Sequence, residues 1–159
     1  MKIKIILSIL ILTTFALSCN KNRIFEEHNT NFPKFRWDKS NIVEFSPEIT
    51  DNNCDYKIFI AVRHIAGFQL KDINVKLDII SPSGEVTTKD YTLPLYNKNN
   101  EALSDCAGDY CDLESMIEKN FKFKETGKYK FRLSHQMSIN PIPNVMEVGL
   151  IIDKLGQTK

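Results

Sequence analysis

Apolar and polar side chains alternate along Tyr56-Lys57-Ile58-Phe59-Ile60-Ala61-Val62-Arg63, and this pattern gives the first indication of the fold. Positions 56, 58, 60 and 62 are all aromatic or aliphatic. The positions between them begin with Lys57 and end with Arg63, which are both cationic. Successive residues of a β-strand point to opposite faces of its sheet. The period of two therefore predicts a strand with one buried face and one face toward solvent.

The same period recurs further along the chain. It is found over residues 75–80 and 129–133, with lysine or arginine at many of the solvent positions. Residues 146–153 are more continuously apolar, which predicts a strand covered on both faces. Turn sequences separate these stretches, at Ser81-Pro-Ser-Gly84 and Glu125-Thr-Gly127. Seven or eight short strands at this spacing predict an all-β antiparallel sandwich, immunoglobulin-like or jelly-roll-like in topology.

One segment, residues 112–119, has the composition of a short helix. It contains Asp112-Leu-Glu-Ser-Met-Ile-Glu-Lys119, in which Asp112 can cap the first turn and acidic residues lie near the positive end of the helix dipole. We expect it to be the only helix of the domain.

The N-terminus has the layout of a lipoprotein signal peptide. Lys2 and Lys4 precede an apolar run at 5–15, which is shorter than the ~20 residues of a membrane-spanning helix. The run leads to Ala16-Leu-Ser-Cys19, which is similar to a lipobox except that Ala16 replaces the common leucine. We predict cleavage before Cys19 and acylation of its thiol, which anchors the chain to a membrane. The predicted organisation is a lipoprotein signal peptide at 1–18, a polar tether at 19–33 and the β-sandwich domain at 34–155.

Composition narrows the classes of partner and cofactor. A formal net charge of +1 gives no long-range attraction to nucleic acid.

Outside the cytoplasm, Cys106 and Cys111 are well spaced for a disulfide across a short loop, with free thiols as the alternative. A zinc site needs a second ligand pair that the sequence does not supply, so we expect no metal and no cofactor. Cys54 is expected to be a buried, inert side chain.

No catalytic motif is recognisable in the sequence. His64 and His135 lie near strand ends in phase with apolar residues, which favours partly buried, hydrogen-bonded side chains over catalytic bases. A nucleophile such as Cys54 or a serine could pair with either histidine, but no local signature supports it. Acidic residues in the loops, including Asp105 and Asp109, are expected to be solvated. We therefore predict a protein that is not an enzyme and has no small-molecule substrate.

Two segments are candidates for binding a partner. Trp37 is the only tryptophan, and an exposed Trp37 could bind a protein or stack on a sugar, whereas a buried Trp37 would close one end of the core. Two prolines stiffen the segment 135–144. In that segment Met137, Ile139 and Ile142 either form an exposed docking surface or belong to a buried crossover. A glycan- or peptide-binding module is the main alternative to a protein-docking domain, and a hydrolase is a weaker one.

Taken in order, these segments resemble the gliding-motility lipoprotein family of the GldH type, from the signal peptide nearly to the C-terminus. The segments that carry the resemblance are the Cys19 lipobox, Arg36-Trp37, 56–63, 73–85, 127–131, Gln136-Met137 and 145–152. The resemblance implies a cell-envelope lipoprotein, an accessory part of the gliding machinery, with other motility and secretion proteins as partners. It supplies no catalytic residue. The chain departs from the family pattern between Leu93 and Lys124, where the Cys106/Cys111 loop lies. By analogy with such lipoproteins, the absence of an acidic cluster after Cys19 implies that the chain faces the periplasm.

Overall fold

The computed structural model describes residues 22–155 of the 159-residue chain, and nearly all regular structure in this part is β-strand. A single 3₁₀ turn, Pro33–Phe35, interrupts the strands. In chain order the strands are β1 (Arg23–Asn29), β2 (Arg36–Trp37), β3 (Val43–Phe45), β4 (Glu48–Ile49), β5 (Tyr56–Ile65), β6 (Asp72–Ile80), β7 (Val86–Pro94), β8 (Asp105–Ala107), β9 (Tyr110–Phe121), β10 (Gly127–Lys128), β11 (Lys130–His135), β12 (Ile142–Pro143) and β13 (Val145–Lys154).

Two antiparallel sheets form the sandwich, which confirms the predicted fold class. The larger sheet has the order β1-β13-β5-β9-β8, and the smaller one has the order β3-β11-β6-β7. Two short ribbons, β4 with β10 and β2 with β12, extend the sandwich beyond these sheets. Each sheet turns an apolar face inward, so that both faces are removed from water together.

The alternation in the sequence becomes the inner faces of the sheets. In β5 the side chains of Tyr56, Ile58, Ile60 and Val62 are at most 1% exposed, as the period of two predicts. Burying an aliphatic or aromatic side chain of this size contributes about 1.5–3 kcal/mol. β13 lies between β1 and β5, and both of its phases are buried. This position explains why its sequence is apolar without alternation.

The sandwich has two ends, which are named here by the strands that begin or finish there. The near end contains the start of β1, the start of β5, the end of β9 and the β6–β7 turn at 81–85. The far end contains the end of β1, the end of β5, the start of β9, the start of β6 and the end of β11. These groupings follow from the antiparallel registers, in which Arg23 pairs with Asp153 and Tyr56 with Phe121 at the near end.

The predicted helix at 112–119 is wrong, because these residues lie inside strand β9. β9 pairs along β5, with Leu113 opposite Val62 and Asp112 opposite Arg63. Leu113 is buried and Asp112 is exposed, so the segment follows a period of two in its first half. Pairing with the buried β5 outweighs the helix propensity of the local sequence, which is a weak preference of less than about 1 kcal/mol per residue.

The predicted tether also differs from the structure. Arg23–Asn29 is strand β1 of the larger sheet, where Phe25 packs against the core and Arg23 pairs with Asp153 at 3.1 Å. The folded domain thus begins no later than Arg23. Only residues 19–22 of the predicted tether precede β1.

Candidate partner-binding surface at the far end

Trp37 is fully buried and closes the far end of the core. Its ring makes edge contacts with Phe32, at 6.0 Å between centroids, and with His135, at 5.3 Å. The indole Nε1 donates a hydrogen bond to the Asn41 carbonyl oxygen at 3.0 Å. Trp37 is therefore not an exposed binding platform. Its position is that of the alternative, a buried tryptophan that closes one end of the core.

The other three residues predicted to bind a partner divide between core and surface. Ile142 is fully buried in β12, opposite Trp37, which corresponds to the alternative of a buried crossover and excludes a direct role in binding a partner. Met137 is half-buried, and its sulfur accepts a hydrogen bond from the Asn74 amide at 3.2 Å. Ile139 is 43% exposed. Among the four, Ile139 has the largest surface available to another protein.

The loop that carries Ile139 is tied to the segment that follows β2. The Asn140 side-chain oxygen accepts a hydrogen bond from the Lys39 amide at 2.8 Å, and the Lys39 ammonium donates to the Met137 carbonyl oxygen at 3.4 Å. Pro141 and Pro143 further restrict the backbone. Ile139 is thus displayed on a stiff loop, which reduces the entropy that a partner must remove on binding.

Exposed apolar side chains are more numerous at the far end than elsewhere on the described residues. Among the described residues, eight large hydrophobic side chains are exposed, and five of them belong to far-end segments. The five are named here the far-end apolar set: Phe35, Ile42, Leu103, Tyr110 and Ile139. Exposed apolar side chains that share one end of a domain are typical of a protein-interaction surface. Phe35, Ile42 and Leu103 were missed in the sequence because loop residues have no periodicity that predicts exposure.

Tyr110 belongs to a hairpin that a disulfide closes. Cys106 in β8 and Cys111 in β9 are opposite each other, joined through sulfur, with a Cα–Cα distance of 4.0 Å. Gly108 in the turn has a φ of +65°, a left-handed conformation that suits glycine. The bridge fixes the short edge strand β8 against β9 and so holds Tyr110 at the far end.

His64 lies beneath this hairpin, opposite Cys111 in the β5–β9 register. One ring nitrogen, Nδ1, is 3.0 Å from the Ile65 carbonyl oxygen and must donate to it, since a carbonyl oxygen only accepts. The other, Nε2, is 2.9 Å from the Ser104 hydroxyl, which donates to it when His64 is neutral. The pair has the hydrogen bond that a serine nucleophile needs. The group that orients the imidazole is a backbone carbonyl instead of a carboxylate.

His135 occupies a different environment. It is fully buried against Trp37, whereas the sequence predicted a partly buried side chain. Burial, followed by the nearby positive charge of Lys39, lowers the pKa of His135 below its ordinary value. Cys54 lies next to the start of β5, at the near end, and its sulfur is 3.8 Å from the Asp51 carbonyl oxygen. A Cys54–histidine pair is therefore wrong, because both buried histidines lie at the far end.

A charged face on the outside of the larger sheet was not foreseen. Arg63 binds Asp112 through two hydrogen bonds of 2.7 and 3.0 Å and binds Glu147 at 2.9 Å. The hydrogen bond from Arg63 holds the pKa of Asp112 below its usual range. Arg23 similarly binds Asp153 and Glu26. The only signal in the sequence is that polar residues occupy the outer phase of β5 and β9, and this signal does not identify the pairs.

A shallow concavity of about 190 Å³ lies within this charged face. Ala61 lines it, and Gly149 lies beside Ala61 in the sheet, so that no large side chain fills the space. His28 packs directly over Gly149, where an added Cβ would come within 2.7 Å of its Nδ1. Every acidic residue named on this face has an arginine partner, which favours a structural role for the ion pairs.

Within residues 22–155, no cluster of three or more His, Cys, Asp or Glu side chains is suitably placed for a metal ion. The same part of the chain has no helix with the length and hydropathy needed to span a bilayer. Cys19, the predicted lipidation site, lies outside the described residues.

Fold and surface together define an all-β sandwich with an apolar far end and a charged outer sheet face. A sequence model described as GldH lipoprotein matches residues 23–152. The chain belongs to the GldH lipoprotein family, whose curated relatives are named as gliding-motility lipoproteins.

Two relatives align over most of their length. The chain is 26% identical over 144 residues to a gliding motility lipoprotein GldH homolog of Christiangramia forsetii, covering 86% of this chain and 87% of the relative. It is 24% identical over 156 residues to the gliding motility lipoprotein GldH of Flavobacterium johnsoniae, covering 92% of this chain and 94% of the relative. The similarity therefore spans most of each protein.

Proposed function

We propose that this chain is a lipid-anchored, periplasm-facing accessory component of the gliding machinery, and that it acts by docking other envelope proteins without catalysis. The observation that carries the docking role is the far-end apolar set, in which Ile139 stands on a stiff loop and Tyr110 on a crosslinked hairpin. Family membership supports the motility role.

The anchor at Cys19 agrees with the position of β1. Arg23, the first residue of β1, follows Cys19 by four positions, and these four steps span at most about 14 Å when extended. β5 has 10 residues and extends about 33 Å from the near end to the far end. An acylated Cys19 would hold the near end beside the membrane and leave the far end free for another protein.

Protein docking is favoured over glycan binding because of the chemistry of the far end. Trp37, the side chain best suited to stack on a sugar, is buried. The far-end apolar set is mainly aliphatic, which suits the apolar core of a protein interface. We infer that the partners are other envelope proteins of the motility and secretion apparatus.

Gene deletion with complementation tests the proposal. Wild type should restore colony spreading, whereas Cys19→Ala should restore little because the protein is no longer held at the membrane. Leu103→Asp and Ile139→Asp should each reduce spreading, because a charge in an apolar interface is costly. Met116→Asp is the matched control, since Met116 is equally exposed but lies on the outer face of the larger sheet. Normal spreading of the deleted strain would contradict the motility role.

The hydrolase alternative is tested in the same strain. Ser104→Ala removes the hydroxyl that contacts His64 and leaves the far-end apolar set intact. We expect Ser104→Ala cells to spread when the protein accumulates to wild-type levels. Loss of spreading at wild-type levels and an unchanged melting temperature would instead favour a catalytic serine.

A further inference from the structure

A cavity of about 190 Å³ opens at the near end of the sandwich, between the edges of the two sheets. Its floor contains Ile79, Phe121 and Phe123, of which Ile79 and Phe123 are buried core residues. Lys89, Lys122 and Lys124 stand around it. The cavity thus combines apolar walls with a lysine rim, and none of the functions discussed above uses it.

Three lysines and one acidic residue, Glu85, line the cavity. Each lysine has a carboxylate partner, so the rim and these partners together carry no net charge. Lys89 is held by Glu118 at 2.6 Å and lies 5.5 Å from the centre of the Phe121 ring. Lys124 contacts Glu85, and Lys122 is 3.9 Å from Asp55.

Two of these lysines can change partner at little cost. The side chains of Lys122 and Lys124 are 67% and 70% exposed. Ion pairs at such exposed positions contribute little to stability, so the two ammonium groups are available to an anionic ligand. A phosphate group would provide stronger, charge-assisted hydrogen bonds than a solvated carboxylate at 3.9 Å.

The cavity lies on the same end as the proposed lipid anchor. β1, which follows Cys19, is separated from β9 by β13 and β5 in the sheet order, a lateral distance of about 15 Å. Val86, at the start of β7 beside the cavity, is an exposed apolar side chain at 57%. A membrane that holds Cys19 would therefore meet the lysine rim and Val86 together.

We propose that this cavity binds the headgroup phosphate of an anionic phospholipid in the membrane that holds Cys19, an inference that rests on the proposed lipid anchor. Lys122 and Lys124 contact the phosphate at the rim, while the glycerol and the acyl chains of the lipid stay in the bilayer. Binding fixes the near end against the membrane and orients the far-end apolar set away from it.

Hydrogen exchange on the acylated protein in vesicles tests the assignment. Vesicles of phosphatidylcholine alone are compared with an equal mixture of phosphatidylcholine and phosphatidylglycerol. On the anionic vesicles we expect at least severalfold slower amide exchange at 85–89 and 119–124, and no change at the far end. Lys122→Gln/Lys124→Gln should abolish the difference, whereas Lys34→Gln/Lys98→Gln, with the same charge change at exposed far-end positions, should retain it.

The possible outcomes separate the cavity from the anchor. Flotation with neutral vesicles reports the anchor alone, and its failure would overturn the proposed function. Flotation on both vesicles with equal exchange at 85–89 and 119–124 would overturn only the lipid site. Equal protection by inorganic phosphate without vesicles, or protection spread over both ends, would also overturn it. Melting temperatures of the variants distinguish lost binding from lost folding.

Discussion

At the scale of single residues, the packing of β1 depends on Gly149. An alanine Cβ at this position would lie 2.7 Å from His28 Nδ1 and 3.1 Å from the Glu27 carbonyl oxygen. The His28 ring would have to move, and the Glu27 backbone would have to give by a few tenths of an ångström. Gly149 therefore allows the first strand, and with it the proposed anchor, to lie close to β13.

We predict that Gly149→Ala lowers the free energy of unfolding by about 1–3 kcal/mol, the usual cost of overpacking. Urea denaturation measures this loss. The double variant His28→Ala/Gly149→Ala should recover part of it, because His28 supplies the two nearest atoms. An unchanged midpoint for Gly149→Ala would show that β1 is not held tightly over this position.

The burial of His135 predicts how the free energy of unfolding depends on pH. Its pKa is lowered in the folded chain, chiefly by burial, so the unfolded chain binds a proton at a higher pH than the folded one. The stabilisation is complete above the unfolded pKa of about 6.5 and is lost as pH falls through and below that value. We predict that the free energy of unfolding decreases between pH 7 and pH 5. His135→Phe should flatten this part of the profile, and a slope that persists in the variant would assign it to other groups.

At the scale of elements, the sequence predicts the strands whose alternation is set by burial. β5, β6 and β11 were recognisable because each has one inner and one outer face. β9 was not, since its second half is rich in helix-forming residues and only the pairing with β5 selects the strand. β1 was missed because it is an edge strand with a single well-packed apolar residue, Phe25.

The functional surface was harder to predict than the strands, for a similar reason. Whether Trp37 or Ile142 is exposed depends on a ribbon between residues more than 100 positions apart in sequence. The ion pairs of Arg63 join residues 49 and 84 positions away. No local pattern contains that information. For Ile139, the neighbouring prolines predicted a stiff segment and left open whether it is exposed or buried.

The disulfide between β8 and β9 gives a prediction at this scale. Closing a loop of this length lowers the entropy of the unfolded chain by an amount equivalent to about 2 kcal/mol. Cys106→Ser/Cys111→Ala should lose about that much stability in oxidising buffer, measured by chemical denaturation. Wild type should lose a similar amount in reductant, and the variant should not respond to it. Equal stability of wild type with and without reductant would indicate free thiols.

At the scale of the whole molecule, the short distance from Cys19 to β1 gives the domain a defined height above the membrane. At most about 14 Å of chain precedes a sandwich about 33 Å long. A partner that meets the far end must then be positioned at that height. The anchor sets the distance of the far-end apolar set from the membrane, and docking requires this distance to match the position of the partner.

A flexible spacer inserted after Lys21 changes the height of the domain above the membrane but keeps the lipid anchor. Fifteen glycine and serine residues add a flexible segment with a root-mean-square length of about 20 Å, which lowers the effective concentration of the far end at its partner. We predict reduced colony spreading with normal acylation and normal membrane retention, measured by mass spectrometry and fractionation. The same fifteen residues added after Lys159 leave the height unchanged and serve as the control for chain length. Full spreading with the spacer would mean that membrane retention is enough, and that the far end finds its partner without a fixed height.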